Sequence, residues 1–312
     1  MATGPALPST ADSVPLGALS DPILVDPGPR LLGDVVEAYR EVAPSLVEPS
    51  LASDNADERG EGGGGPTPAT QLPTLRVFAG EPAIETATAG FRAASRLAAL
   101  LDADVVDLRV LDAPQPNAAL AGAETGYALV RGENGEGCDG DGRDDVVRWH
   151  RVGDDASLRE RYASAFGDAD PYRLRTPSRR RVYEGFAARC DESVAAAVLR
   201  ALDVPAGPAG LDDVRSSPAG PDPEASRLRA YAVGAREGVL DRTLRRACED
   251  AGLGSPSTFT RIKRLLRETG LIETASEPQP VGRPRERLAA RGALAAAETP
   301  EETVAAVRGV AD

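Results

Sequence analysis

Apolar positions in this chain recur with two different periods, and where the period switches sets out the elements. Pro22–Asp26 is a short apolar run, and from Arg30 to Val42 the spacing becomes helical. Leu75–Ala79 reads as a strand. Ala83–Leu101 reads as one helix, with Ile84, Ala87, Phe91, Ala94, Leu97 and Leu101 on a single stripe. Val105–Leu111, Tyr127–Arg131 and Val146–Val152 have strand-like patterns, and Ser157–Phe166 and Arg179–Leu202 return to helical spacing, the latter with Ser178 placed as an N-cap. Strands mixed with helices of this length predict an α/β layer domain, and no internal repeat interrupts it.

Low-complexity segments punctuate the pattern. Ser53–Pro73 contains Gly62–Gly65 and reads as a flexible loop. Gly132–Asp145 is dense in Gly, Asp and Glu, and Val204–Pro223 carries five prolines, which predicts an interdomain linker. The expected layout is therefore a flexible N-terminus at 1–20 and an α/β regulatory or dimerisation domain at 21–203, with loops at 53–73 and 132–145. A linker at 204–223, a DNA-binding domain at 224–292 and a C-terminal extension at 293–312 follow.

Beyond the linker the order of elements is specific. Ala225–Glu237 and Leu240–Ala251 are helix candidates; Gly252-Leu253-Gly254 breaks the chain, with Leu253 placed to plug a small core. Ser255 is an N-cap and Pro256 sits in the first turn, where its missing N–H costs nothing. The helix that follows runs to Thr269 and stops at Gly270, a residue suited to a left-handed C-cap. Its apolar stripe is Phe259, Ile262, Leu265 and Leu266. Ser257, Thr258, Thr260, Arg261, Lys263, Arg264 and Arg267 occupy the opposite side. Two helices, a glycine turn and one basic face give helix-turn-helix geometry, with the second helix suited to the major groove. Leu271–Thr274 and Arg285–Ala289 then read as strands around a Pro/Gly turn, a hairpin wing. Its tip, Gly282-Arg283-Pro284-Arg285, with Arg287 behind it, suits a narrow minor groove. A winged helix used for protein contacts is the competing reading.

Charge separates the two readings. The 312-residue chain has a net charge of −13, which by itself argues against a polyanionic partner. Yet residues 224–291 carry 14 Lys/Arg against 9 Asp/Glu, so this segment is at +5 and the remainder at −18. Positive charge concentrated on the predicted winged helix favours duplex DNA. Lys263 is the only lysine among 36 basic residues. An acidic, almost lysine-free composition fits a protein working in concentrated salt, that is, a halophilic archaeon, although GC-rich codon usage also exchanges Lys for Arg. No run approaches the ~20 apolar residues of a membrane span, and Met1–Ser20 lacks the basic and apolar regions of a secretory signal, so a cytoplasmic, membrane-free protein is expected. Cys138, Cys190 and Cys248 lie too far apart in sequence to suggest a disulfide framework or a CxxC metal pair.

Other motifs carry less. Gly135, Gly137 and Gly140 spell G-x-G-x-x-G, but Asp139, Asp141, Asp144 and Asp145 surround the last glycine and a strand follows where a dinucleotide site needs a helix. The same acidic run fails as a calcium loop, because Asp144 and His150 stand where Gly and Glu are required. His150 is the only histidine, which disfavours His-based catalysis and His-rich metal sites. Arg173, Arg175 and Arg179, with Arg180 and Arg181, cluster at a helix start. They are a candidate site for a small anionic effector, set against the plainer reading of a solvated helix end.

The block Gly252–Leu288, with STFTRIKRLLRETGLIET followed by VGRPRERL, resembles the C-terminal domain of haloarchaeal TbsP-type transcriptional regulators. Leu174-Arg175-Thr176-Pro177-Ser178-Arg179 and the order of upstream elements are also similar, so the resemblance spans residues 21–290. It implies a DNA-binding regulator of metabolic genes, with the two Gly-rich stretches as insertions. The expected fold is thus an α/β N-terminal domain followed by a C-terminal winged helix-turn-helix domain. The expected function is sequence-specific regulation at promoter DNA without catalysis, cofactor or metal. Expected partners are double-stranded DNA and a second copy of the chain, paired through the helix Arg179–Leu202, together with a small anionic effector or a second transcription factor. An α/β enzyme or ligand-binding protein with secondary DNA binding, or a regulator acting mainly through another transcription factor, is the alternative.

Overall fold

A computed structural model describes residues 4–8, 13–49, 72–132, 146–205, 221–278 and 284–310. The glycine and aspartate motifs at 135–145, Cys138, most of the proline-rich segment at 204–223, and Gly282 with Arg283 fall outside the described residues. By contacts the chain divides into two units: residues 1–47, 63–88 and 100–174, and residues 48–62, 89–99 and 175–312.

The first unit is built on a six-stranded mixed sheet, ordered β5-β4-β3-β6-β7-β8. Two short pairing segments, β1 (Ala6–Leu7) and β2 (Val14–Pro15), precede it. β3 (Ile23–Val25) runs parallel to β4 (Leu75–Ala79), which runs parallel to β5 (Val106–Val110). On the other side of β3 the chain forms an antiparallel meander of β6 (Ala119–Ala121), β7 (Gly126–Gly132) and β8 (Val146–Gly153). β3 is buried throughout, as expected of a strand paired on both sides and covered on both faces. Ile23 and Val25 pack with Phe78, Ala119 and Phe166, and Phe78 meets Phe166 edge to face at 5.7 Å. Helices α1 (Pro29–Val42), α2 (Pro44–Val47), α3 (Glu81–Ala87) and α5 (Ser157–Asp168) complete this unit, and the last of them brings Phe166 to the sheet. Arg109 donates to the carbonyls of Phe166, Gly167 and Ala169 at 3.0, 3.0 and 3.2 Å, closing the C-terminal end of α5.

The helix expected over 83–101 is two helices, α3 and α4 (Phe91–Asp102). Thr88 ends the first: its backbone N–H and its hydroxyl both donate to Ile84 O, and Gly90 follows. The helix expected over 179–202 is also two, α6 (Arg179–Ala187) and α7 (Glu192–Asp203). Asp191 caps α7 by accepting from Val194 N at 2.8 Å, which explains the break. Ser178 stands at the N-cap of α6 but makes no side-chain capping bond.

That second break matters for organisation. Val182 and Phe186 of α6 and Val194, Val198 and Leu202 of α7 share one core with the helices that follow. Gly185 of α6 lies so close to a neighbouring helix that an added Cβ would sit 2.6 Å from Ala251 N. Residues 179–203 therefore belong to the second unit rather than to the α/β unit, as two short helices rather than one long one. The residues after 292 are not an appendage either. α11 (Gly292–Ala296) and α12 (Pro300–Val307) bury Leu294, Val304 and Val307 in the same core, and Thr299 and Glu302 form a reciprocal capping box.

Candidate nucleic-acid interface

Three helices and a hairpin form the centre of the second unit. They are α8 (Pro223–Arg236), α9 (Asp241–Asp250) and α10 (Pro256–Glu268), followed by β9 (Ile272–Glu277) and β10 (Arg285–Ala290). The turn between α9 and α10 uses glycines where the backbone requires them, with φ of +73° at Gly252 and +159° at Gly254, and Leu253 is buried beneath it. Ser255 caps α10, its hydroxyl lying 3.5 Å from Thr258 N and 2.8 Å from Ser257 Oγ. Gly270, at φ +71°, ends the helix, and Leu271 N donates back to Leu266 O in the pattern of a glycine-terminated helix. Phe259, Ile262 and Leu266 are buried, and Phe259 stacks on Tyr231 of α8 at 6.0 Å.

With one side of α10 anchored, the other is free. Ser257, Arg261 and Arg264 stand at i, i+4 and i+7 and are exposed; Thr260 and Arg267 flank this stripe and are exposed too, while Thr258 is half-buried. Thr260 donates to Pro256 O at 3.0 Å, which fixes its hydroxyl. The hairpin pairs Arg285 with Glu277 through to Ala290 with Ile272, antiparallel. Leu288 N donates to Val239 O, and an isolated antiparallel bridge between Leu240 and Arg287 ties the segment before α9 to the wing.

The cations predicted from sequence are not equivalent. Lys263 is only 14% exposed and lies against Glu286 of β10 and 3.3 Å from Asp241 of α9. Asp241 is buried, and it also accepts from Tyr231 Oη at 2.6 Å and Arg245 Nη2 at 2.8 Å. Tyr231 is held far above the ordinary range of its phenol, chiefly by burial and then by its bond to Asp241. This network joins α8, α9, α10 and the wing strand, so the ammonium of Lys263 is a fastening between elements. Arg287 is likewise engaged, with Gly238 O at 2.6 Å and Glu277 at 2.8 Å. Arg261 pairs with Glu224 of α8 at 2.6 Å, whereas Arg264 and Glu268, 3.9 Å apart, are both largely exposed. Arg267 and Arg285 have no ion pair among the described residues.

Two arginines escaped the sequence reading. Arg242 and Arg246 lie one turn apart on α9, exposed and without ion pairs among the described residues, opposite the buried Leu244, Ala247 and Cys248. Their i, i+4 spacing across from an apolar stripe was the available signal.

The proposed effector arginines differ in their surroundings. Arg173 and Arg175 are exposed. Arg179 is buried and already neutralised, bonded to Asp203 at 2.6 and 3.1 Å and to Glu48 at 2.7 Å. Burial would lower its affinity for a proton, but the two carboxylates outweigh it and hold the guanidinium charged. An anion would have to displace both carboxylates, so Arg179 is a structural tie. His150 is exposed on β8. Among the described residues no group of three or more His, Cys, Asp or Glu side chains is arranged to hold a metal ion, and no helix is long and apolar enough to cross a membrane.

Residues 67–177 match the family described as "Transcriptional regulator TbsP-like, N-terminal", and residues 178–308 match "Transcriptional regulator TbsP-like, C-terminal HTH domain". No curated protein and no solved structure matches the chain. The junction at 177/178 falls close to the division by contacts at 174/175, with α6 and α7 on the helix-turn-helix side in both.

Proposed function

The chain belongs to the TbsP-like family of DNA-binding transcriptional regulators, and from that premise we propose that α10 enters the major groove of promoter DNA. The exposed row of Ser257, Arg261 and Arg264 on a helix capped at both ends carries this reading. Thr258 and Thr260 stand beside that row near the same helix end, where hydroxyls and guanidinium forks meet base edges. Arg267 of α10 and Arg242 and Arg246 of α9 are assigned to the phosphates. The wing, with Gly282, Arg283 and Arg285, is assigned to the adjacent minor groove, where negative potential attracts arginine. Lys263 and Arg287 are assigned to holding the wing in place.

The regulator is proposed to work as a homodimer on two half-sites, inside a salt-rich archaeal cell, at genes of metabolism. At molar salt the counterion-release contribution to affinity is small, so base-edge contacts must supply a larger share. Arginine suits that demand better than lysine, because its fork binds guanine in two places. Chromatin immunoprecipitation with sequencing in the native host tests the proposal. Discrete promoter peaks that vanish with Arg261→Ala plus Arg264→Ala are expected. Diffuse or absent enrichment at normal protein levels would overturn it.

A further inference from the structure

The sheet unit contains a cavity of about 730 Å³ that the DNA-binding function does not use. It opens at the carboxyl end of β3, where the first turn of α1 departs and the segment 115–118 leads into β6. β3 is the strand from which the parallel half and the antiparallel half of the sheet diverge. In open α/β sheets such a divergence leaves a crevice that ligands occupy, and cavities of 300–1,000 Å³ suit drug-sized molecules.

The polar lining consists of Asp26, Arg30, Asp34, Gln115 and Asn117. Two of these are committed to holding the cavity's shape. Asp26, at φ +49°, accepts from Gln115 N at 2.6 Å, and the Gln115 side chain bonds Tyr162 Oη at 3.1 Å and Ala113 O at 3.0 Å. Arg30, Asp34 and Asn117 are not: among the described residues none has an ion pair or a side-chain hydrogen bond. Arg40, Arg76, Arg109, Arg151 and Arg159 of this unit each face a carboxylate, whereas Arg30, like the exposed Arg148, Arg161 and Arg173, has no ion pair among the described residues. Arg30 and Asp34 stand one helical turn apart on α1, where opposite charges ordinarily pair, yet both line the cavity unpaired. Partial burial raises the Asp34 carboxyl, against the lowering pull of Arg30. Leu31, Leu129 and Val147 supply an apolar wall.

A lone anion would meet two carboxylates here, and a purely apolar molecule would cover the half-buried Asp34 without giving its carboxylate a partner. We infer that this cavity binds a small zwitterion with an apolar body, an apolar α-amino acid or short peptide, its carboxylate on Arg30 and its ammonium on Asp34. The inference is independent of DNA binding and can fail without it.

Isothermal titration calorimetry on the full chain tests it with four probes: L-leucine, the dipeptide Leu-Leu, isoamylamine and 4-methylpentanoate. Saturable binding is expected for at least one zwitterion, with either single-charge analogue weaker by at least about tenfold, the usual worth of a charged hydrogen bond. Tighter leucine assigns a free amino acid and tighter Leu-Leu a peptide, and either supports the site. Arg30→Gln and Asp34→Asn should each weaken binding at least about tenfold with unchanged circular dichroism melts; Arg30 is exposed, so its replacement leaves the fold intact. Neither zwitterion binding, an analogue binding as tightly, or both variants binding like the parent protein would overturn the inference.

Discussion

Replacing Lys263 with methionine separates two roles that a basic residue on a recognition helix can have. Its ammonium lies 3.3 Å from Asp241 and in contact with Glu286, in a side chain only 14% exposed. Removing one partner of a buried ion pair costs about 3–5 kcal/mol when the other charge is left alone. Asp241 is not left alone, because Arg245 and Tyr231 still donate to it at 2.8 and 2.6 Å. The cost should therefore fall to about 1–2 kcal/mol, a drop of roughly 3–8 °C in the melt of the helical unit. Far-ultraviolet circular dichroism is the suitable probe, since the single tryptophan, Trp149, lies in the sheet unit on β8. The DNA experiment carries the discrimination. Fluorescence anisotropy with an enriched promoter fragment, repeated across salt concentrations, gives the slope of log affinity against log salt. A lost phosphate contact reduces that slope by about 0.9. Lys263→Met should weaken binding at every salt concentration while leaving the slope unchanged, because the wing loosens but no phosphate contact is lost. Arg264→Met, at a side chain 72% exposed, should reduce either the slope or the base preference. A slope reduced by about 0.9 in Lys263→Met would refute the fastening role.

Other consequences can be checked with the same preparations. Arg242→Ala with Arg246→Ala should lower the salt slope by about 2 and leave the melt unchanged, since both side chains are exposed and outside the core; an unchanged slope removes them from the interface. Glu224→Gln should raise DNA affinity about 1.5- to 5-fold by releasing Arg261 from its 2.6 Å pair, the worth of an exposed ion pair being about 0.2–1 kcal/mol. Equal or weaker affinity would show that the pair does not compete with DNA. Gly185→Ala should destabilise the second unit by about 1–3 kcal/mol despite alanine's better helix propensity, because the new methyl group meets the backbone of Ala251 at 2.6 Å. A melt at or above that of the parent protein would mean that α6 and α9 can separate without loss.

The winged helix was legible because each of its boundaries has a local chemical cause. Ser255 and Gly270 act within a turn of where they stand, and the apolar stripe of α10 needs no partner to be recognised. Legibility failed where causes were distant or faint. A continuous stripe concealed the breaks before α4 and α7, because stripe periodicity reports a shared face and not whether the backbone pauses between turns. β6 is three residues of Ala and Leu, too short to show alternation. The proline-rich segment looked like the domain boundary, yet α6 and α7 before it and α12 after the wing share the second unit's core. The Ala-rich tail gave little warning because its buried anchors, Leu294, Pro300, Thr303, Val304 and Val307, are spaced among small and polar residues.

Charge was the least legible property, and it bears most on function. The +5 balance of residues 224–291 is correct as a sum, but it treats all cations alike. Which of them can meet a phosphate depends on carboxylates remote in sequence: Glu286 lies 23 positions from Lys263, and Glu224 lies 37 from Arg261. These carboxylates act as built-in counterions. They neutralise part of the basic surface before DNA arrives, and the −18 balance of the remaining chain adds a general repulsion of polyanions. If Arg261 and Arg264 read base edges as proposed, both effects weaken contact with arbitrary sequence more than contact with a cognate site, because only the cognate site would return base-edge bonds in exchange. An acidic regulator with few uncommitted arginines therefore gives up attraction to DNA in general and keeps discrimination. On this account, neutralising Glu224 should raise affinity for unrelated DNA by at least the factor it raises affinity for the promoter, so the gain in binding comes with a loss of specificity.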